Sequence, residues 1–438
     1  YFLDNYVWYI LYEFLIYFYG VKKIKLQIYG NKNLSGEVQI SGCKNSAVAI
    51  IPATILCDEE VRLRNVPQIE DCQTLLNILS YIGHEVIITD CEIIIKPNPK
   101  TKTNLNTPLV SRLRGSYYFF GVLLAKRNKI KTFYPGGCNL GNRPINYHLD
   151  GFSKMNVNII QKNDQLIMRT KKLLGTTINL DFPSVGATIN LMLAGTKARG
   201  VTVINNCAKE PEVVDVANFL NSMGAKIEGA GTSTITITGV KKLTKTTYTL
   251  MPDRIEAGTY LILGACADGP GLTVTNVNPN HLTSLLEVLE KIGCQMEIEK
   301  DKITITKNQE LKPIHIEVGP YPAFPTDLQQ PLTTLLTQID GLSSIKETIF
   351  NNRFSHISEL QKMKAHIILQ DNTIIVKGKT LLEPSEVIAY DLRGAASLLI
   401  ACAITNGESV IDNIDVLLRG YEKPYEKLAK LGINCKII

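Results

Sequence analysis

One motif occurs six times in this chain at nearly constant spacing. That constrains the fold more than any other feature of the sequence. A short polar or glycine-containing turn leads into small residues and then an apolar stretch. It reads CKNSAVAIIPATIL from Cys43, LRGSYYFFGVLLA from Leu113, SVGATINLMLAG from Ser184 and IEAGTYLILGACA from Ile255, then TDLQQPLTTLL from Thr326 and LRGAASLLIACAI from Leu392. Anchored at Lys44, Arg114, Val185, Glu256, Asp327 and Arg393, the copies lie 70, 71, 71, 71 and 66 residues apart. Self-similarity at a fixed period marks a chain assembled from one supersecondary unit. A second motif interleaves with the first: a strand ends in Asn or Gly, a helix follows, and the helix gives way to another strand. Residues 61–89, 201–227, 272–299 and 409–438 show it, and the copies near 134–161 and 347–370 are degenerate.

Each unit of about 70 residues therefore holds two helices and several strands. The first helix is apolar all round, which predicts burial on all sides. The second is amphipathic; in the first unit Leu75, Leu76, Ile78 and Leu79 oppose Asp71, Gln73 and Asn77. The expected class is α+β: a two-domain inside-out α/β barrel of six units, with buried helices and the sheets outside them. The first strand, Ile24 to Ile28, precedes the first unit and is left to complete the last. The chain then crosses twice, near residue 43 and near the proline of TLMPDRIEAG. This gives one domain over 44–251 and a second over 21–43 plus 252–438. A cleft between such domains is a common place for a ligand.

Composition excludes several classes. With 45% hydrophobic and 20% charged residues in 438, the chain has ample apolar content for large cores and is not disordered. A net charge of +6, from 47 basic and 41 acidic residues, supplies no concentrated basic patch for nucleic acid. Ten cysteines form no C-x-x-C pair, which argues against structural zinc. Most lie in apolar runs, as Cys57 and Cys402 do, and read as buried thiols in a reducing cytoplasm.

Residues 1–20 differ from the rest. They hold six of the 18 tyrosines and the only tryptophan, Trp8. The length suits a bilayer, but Asp4, Asn5 and Glu13 oppose insertion, a central acid costing about 2.5–3.5 kcal/mol. No basic leading region marks a secretory signal. The first methionine is Met155 and the composition changes abruptly at Val21. The expectation is a segment translated from upstream of the natural start; a membrane-associated tail and a packed extra element are the alternatives.

Positions where the six units differ in chemistry are not needed for the shared fold. Lys44, Arg114 and Arg393 place cations at helix starts, where they oppose the helix dipole. Local stability does not explain them; an anion in the cleft does, and a salt bridge across it is the alternative. Ser184 and Val185 follow Pro183 and open a helix, an arrangement that suits a diphosphate or simply a serine cap. The loop Pro135–Pro144 brackets Cys138 and Arg143 with three glycines. A nearby guanidinium would favour its thiolate or tune the thiol for proton transfer, and an incidental loop thiol is the alternative. Asp327 is a helix cap or a general base poised in the cleft. Arg353, Arg393 and Arg419 add cations suited to carboxylate or phosphate.

From about Lys23 to the C-terminus, these residues resemble the enolpyruvyl transferase family, the UDP-N-acetylglucosamine 1-carboxyvinyltransferases in particular. SGCKNSA, PGGCNLGNRP, PSVGAT, EPEVVD, PDRIEAGT, FPTDLQ, NNRF, DLRGAAS and RGYE stand in family order. The cysteine loop separates it from the sister enzymes acting on shikimate 3-phosphate, which share the inside-out six-unit fold. The resemblance implies transfer of the enolpyruvyl group of phosphoenolpyruvate to UDP-N-acetylglucosamine, with no metal or organic cofactor and phosphate as by-product. It implies that Cys138 protonates C3 of the enol and is the target of fosfomycin, and that Asp327 is the base near the sugar hydroxyl. Lys44, Arg143 and Arg419, with Arg393 nearby, match cations around phosphoenolpyruvate. Asn45 matches a sugar contact. Arg114, Ser184, Val185 and Ile349 match UDP-sugar positions, and Arg143, Pro144, Ile145, Asn146 and Tyr147 match the uridine segment. Three departures stand out: Asn146 for a common Asp, Phe182 for a Lys found in some members, and QQP for QAQ after Asp327. Two other readings remain open at this point: the same fold acting on another hydroxyl acceptor, and a non-catalytic sugar-nucleotide sensor.

Overall fold

The computed structural model describes residues 24–136, 145–162, 164–307 and 310–438. The aromatic opening segment lies outside the described residues, as do Cys138, Arg143 and Pro144.

Six helices form the centre, one per repeat: α1 (Lys44–Ala53), α2 (Tyr118–Arg127), α3 (Val185–Gly195), α4 (Arg254–Cys266), α5 (Gln329–Leu336) and α6 (Leu392–Ala403). All side chains of α4, α5 and α6 are buried, as expected of helices without a polar face. α2 packs on α3 and α1, and α5 packs on α6 and α4. The apolar side chains fall into two clusters. One runs from Ala47 to Leu250; the other joins Leu26–Ile40 to Ile255–Ile433. The result is an α+β fold of two halves, each with three core helices inside its sheets.

The described residues hold six four-stranded sheets with one plan. Thr177–Asn179 pairs parallel with Val201–Asn205, which pairs antiparallel with Thr234–Thr238, and that strand takes Lys226–Glu228 on its far side. Each half closes on itself by borrowing a distant strand. Thr246–Thr249 returns to pair with Val61–Arg64, and Ser35–Gln39 reaches Gly271–Thr275. Leu26–Gly30 lies between Gly407–Asp412 and Asn434–Ile437.

Four units share a device at the strand end. Asn65, Asn206, Asn276 and Asn413 all take left-handed backbone, with φ of 54, 55, 54 and 60°. Asparagine tolerates that region better than most residues. Each side-chain amide then donates to the carbonyl at the end of the parallel neighbour: Leu250, Leu180, Ile40 and Ala389, at 2.9, 2.8, 2.7 and 2.6 Å. In the two degenerate units Tyr134 and Glu347 follow the corresponding strands instead.

Two expectations are corrected. The first strand is Leu26–Gly30, not Ile24 to Ile28. Alternation buries Leu26, Ile28 and Gly30, whereas the Ile24 amide donates to Asp415 Oδ2 outside the sheet. Asp71 is not on a solvated helix face; it is 3% exposed. Its partners explain that burial.

Candidate active site at the seam of the two halves

The two connecting segments run antiparallel. Cys43 N–H donates to Met251 O at 2.8 Å and Asp253 N–H to Ser41 O at 2.9 Å. Asp253 joins the two halves at one carboxylate. Its Oδ1 caps α4, accepting from the N–H groups of Ile255 and Glu256 at 2.8 and 3.1 Å. Its Oδ2 accepts the Lys44 N–H of α1 at 3.0 Å. Two helix N-termini, each carrying partial positive charge, thus meet beside the crossover.

Around them the charged side chains form two paired groups. Lys44 Nζ lies 3.1 Å from Asp71 Oδ2, and Arg419 Nε donates to Asp71 Oδ1 at 3.0 Å. Lys44 and Asp71 belong to the first half and Arg419 to the second, so one buried carboxylate holds cations from both. The segment 419–421 serves the seam with three consecutive residues. Arg419 meets Asp71. Gly420 lets the chain pass close to Leu392 and the lysine stem, since a Cβ there would sit 2.6 Å from Leu392 Cδ2 and 3.1 Å from Lys44 Cδ. The Tyr421 ring lies 5.4 Å from the Arg393 guanidinium, and its hydroxyl bonds Thr259 at 2.8 Å.

Arg393 leads to Asp327. Its Nη2 and Nε donate to Asp327 Oδ2 at 2.9 and 3.2 Å. Arg353 Nη2 donates to Oδ1 at 2.7 Å, and its Nη1 to Thr326 Oγ1 at 2.8 Å. Asp327 therefore caps no helix; its oxygens are taken by two guanidinium groups. Burial opposes its ionisation, but Arg393 and Arg353 outweigh that and hold the carboxyl well below the usual carboxylate range. The Asp327 side chain is still 25% exposed, which leaves it reachable. Glu347, buried, accepts from Thr326 Oγ1 at 2.8 Å and from Ile349 N–H at 2.8 Å. It ties the Ile349 loop to the turn that carries Asp327.

A second group lies within the first half. The Arg114 guanidinium is 5.7 Å from the Tyr117 ring, which tilts against His148 at 4.7 Å. Burial, with Arg114 nearby, pushes His148 down to about 3, so the ring is neutral. Gly186 approaches both rings; a Cβ there would sit 2.6 Å from the Tyr117 hydroxyl. Ser184 Oγ accepts from Ala187 N–H at 3.3 Å, a cap on α3. Asn146 is exposed and Ile145 buried, and Tyr147 packs partly on the core. Asn45 lies one residue past Lys44 at the start of α1.

The structure thus gathers Lys44, Arg419, Arg393, Arg353 and Asp327 at the seam, and Arg114 with Ser184 and Val185 beside the helix starts of the first half. Asp71, Asp253 and Tyr421 carry the geometry and were not singled out from sequence. Asp71 lies in a helix whose apolar period hides it. Asp253 and Tyr421 adjoin the quoted motifs, and that adjacency is the available signal. A cavity of about 580 Å³ lies elsewhere, lined by Pro279, Glu287, Glu290 and Met296 of the second half.

Comparison with known proteins bears on this arrangement. The model of the family described as EPSP synthase (3-phosphoshikimate 1-carboxyvinyltransferase) matches residues 28–428. The UDP-N-acetylglucosamine 1-carboxyvinyltransferase 2 of Listeria monocytogenes is 44% identical over 410 residues, covering 94% of this chain and 97% of the relative. That of Bacillus cereus is 45% identical over 411 residues, covering 94% and 96%. The chain belongs to the enolpyruvyl transferase family. Among solved structures, the enolpyruvyl transferase NikO from Streptomyces tendae superposes with a TM-score of 0.86 at 25% identity, covering 95% of this chain and 99% of that one. An EPSP synthase from Acinetobacter baumannii has the same fold, with a TM-score of 0.72 at 17% identity over 95% and 100%. The family model and the curated relatives name different acceptors and share the 1-carboxyvinyl transfer. Among the described residues no helix is long and apolar enough to cross a membrane.

Proposed function

We propose that this protein transfers the enolpyruvyl group of phosphoenolpyruvate to the 3-hydroxyl of UDP-N-acetylglucosamine in the cytoplasm, releasing phosphate, at the first committed step of peptidoglycan synthesis. The observation that carries this reading is identity of 44–45% to relatives of that name over 94% of the chain. The matched length includes both walls of the seam. The working domains are 44–251 and 21–43 with 252–438.

The sugar oxygen bonds to C2 of phosphoenolpyruvate while C3 takes a proton, giving a tetrahedral phospholactoyl ketal. Loss of the C3 proton and of phosphate from C2 then restores the double bond. Cys138 supplies the proton to C3 and Asp327 takes the proton of the hydroxyl. Lys44, Arg143, Arg393 and Arg419 hold phosphoenolpyruvate. Asn45, Arg114, Arg143, Pro144, Ile145, Asn146, Tyr147, Ser184, Val185 and Ile349 hold the sugar nucleotide. Arg353, expected to bind substrate, is 3% exposed and pairs with Asp327, so any contact it makes with substrate is made beside that carboxylate.

The doubly paired Asp327 is a poor proton acceptor. An anion arriving at Arg393 draws one guanidinium toward itself and returns basicity to the carboxylate. The base is then competent only with phosphoenolpyruvate in place. Closure of the two halves would exclude water from the reactive intermediate.

The test is phosphate release from phosphoenolpyruvate, with and without the sugar nucleotide, by a chain starting at Val21. Release should require UDP-N-acetylglucosamine and collapse in Cys138→Ala. Asp327→Asn should lower kcat by ~10²–10⁴-fold, the usual span for a lost acid–base group. Release without the nucleotide, or undiminished in both variants, would overturn the reading.

A further inference from the structure

Behind Asp327 lies a buried polar network that the reaction scheme leaves unused. Gln330, the second residue of α5, is 0% exposed. Its Nε2 is 3.2 Å from Asp391 Oδ2 and 3.3 Å from His356 Nδ1. Asp391 caps α6, its Oδ1 accepting from the N–H groups of Arg393 and Gly394 at 3.1 and 3.0 Å. Its Oδ2 also accepts from Ser355 Oγ at 2.7 Å. His356 lies in the helix Ser355–Lys362, three residues after Arg353. One side-chain amide thus touches the cap of the helix bearing Arg393 and the helix that follows Arg353, and it sits on the helix that follows Asp327.

The chemistry of the groups fixes their polarity. Burial opposes ionisation of Asp391, but the Gly394 amide, the Ser355 hydroxyl, Arg353 and Gln330 favour it and hold its pKa low. An ionised carboxylate only accepts, so Gln330 must present its NH₂ to Asp391. The second hydrogen of that NH₂ then faces His356 Nδ1, which must accept as well. His356 is therefore a neutral imidazole with its proton on Nε2, a buried N–H that has no partner among the described residues. Burial agrees, pushing its pKa down to about 4 against the pull of Asp391.

We infer that Gln330 is a positioning residue: its amide passes the acceptor polarity of Asp391 to His356 and locks the three segments that hold Asp327 between Arg393 and Arg353. It touches no substrate. The inference rests on the proposed role of Asp327 for its kinetic consequence, but not for the state of His356. A base must be held within a fraction of an ångström, and a misplacement of ~1 Å can cost ~10²-fold. Without the amide, the carboxylate and the imidazole lose their common donor, and the Asp327 pairs lose their registration.

The test has two arms. In wild type, ¹⁵N spectra of histidine-labelled protein should show His356 with a pyridine-type Nδ1 and a protonated Nε2 at pH 7. The signal is assigned by its loss in His356→Gln, among six histidines. In Gln330→Leu that pattern should change, and kcat should fall ~10-fold or more while KM for both substrates stays within ~3-fold. A change in KM and kcat alike would mark a general packing defect and overturn the inference. So would a charged or Nδ1-protonated His356 in wild type, or a kcat within ~2-fold in the variant. If the leucine variant does not fold, Gln330→Met, unbranched and of similar length, replaces it under the same criteria. Absence of transferase activity in wild type would sink the proposed function alone, because the histidine arm still decides the network.

Discussion

Glu256 offers a quantitative test of how the crossover is held. It sits in the first turn of α4, with Lys427 Nζ 2.6 Å from Oε1 and the Ser41 N–H donating to Oε2 at 2.8 Å. Burial pushes its pKa up to about 7, with Lys427 pulling the other way. An unfolded glutamate titrates near ~4.3. Between those values the folded chain keeps a proton that the unfolded chain has released. Stability therefore falls as pH rises through the window and levels off above it. At ~1.36 kcal/mol per pH unit the ceiling is about 3.7 kcal/mol, of which about 2.5 kcal/mol develops between pH 5 and 8. Glu256→Gln keeps the shape and cannot ionise; its one acceptor oxygen serves either Ser41 or Lys427, and the loss of the other acceptor is the same at every pH. Its stability relative to wild type should therefore grow by about 2.5 kcal/mol from pH 5 to pH 8. Other titrating groups are common to both proteins and cancel in the difference. Urea unfolding followed by far-ultraviolet circular dichroism reads this directly. The only tryptophan, Trp8, lies outside the described residues. Parallel pH curves for the two proteins would refute the reasoning.

Two further outcomes follow from the same structure. Arg254 Nε and Nη2 reach Glu212 across the seam at 3.2 and 3.3 Å, both side chains buried. Arg254→Met should destabilise by about 3–5 kcal/mol by leaving a buried charge unpaired, and Arg254→Met with Glu212→Leu should recover most of it. Urea midpoints of the cycle check this, and a double variant no better than the single one would count against it. At the left-handed strand end, Asn413→Ala should lose the bond to Ala389 and take on strain of about 1–2 kcal/mol, whereas Asn413→Gly loses only the bond. Thermal melts should rank glycine above alanine; the reverse order would contradict the backbone argument.

Much of the architecture is legible in the sequence because the core helices lack a polar face. Each of the six anchors falls at the start of a core helix or in the short 3-10 turn leading into one. Ser35–Gln39 was not legible. Its sequence has no apolar alternation, and it is held by pairing with Gly271–Thr275, far along the chain. Asp71 was misread for a related reason: helical periodicity assigns a face, but the partners that make burial of a charge tolerable come from Lys44 and Arg419. The departures from the repeat were informative. The two units in which the strand-end asparagine is missing are those that continue into the Cys138 loop and the Ile349–Arg353 loop, so loss of a structural device coincides with the proposed chemistry.

The borrowed strands have a consequence for how the chain is made. Residues 44–250 hold a closed set of three sheets and can complete it as soon as they have emerged. The other half cannot. Leu26–Gly30 is synthesised among the first described residues, yet both of its neighbours, Gly407–Asp412 and Asn434–Ile437, come last. At ~5–20 residues per second that is a wait of tens of seconds with both strand edges open. Newborn chains therefore carry an unpaired sticky segment beside a finished domain. Loss of Asn434–Ile437 would leave one edge of that segment open for good, while Gly407–Asp412 still covers the other, so the finished sheet would keep a ready template for pairing with another chain.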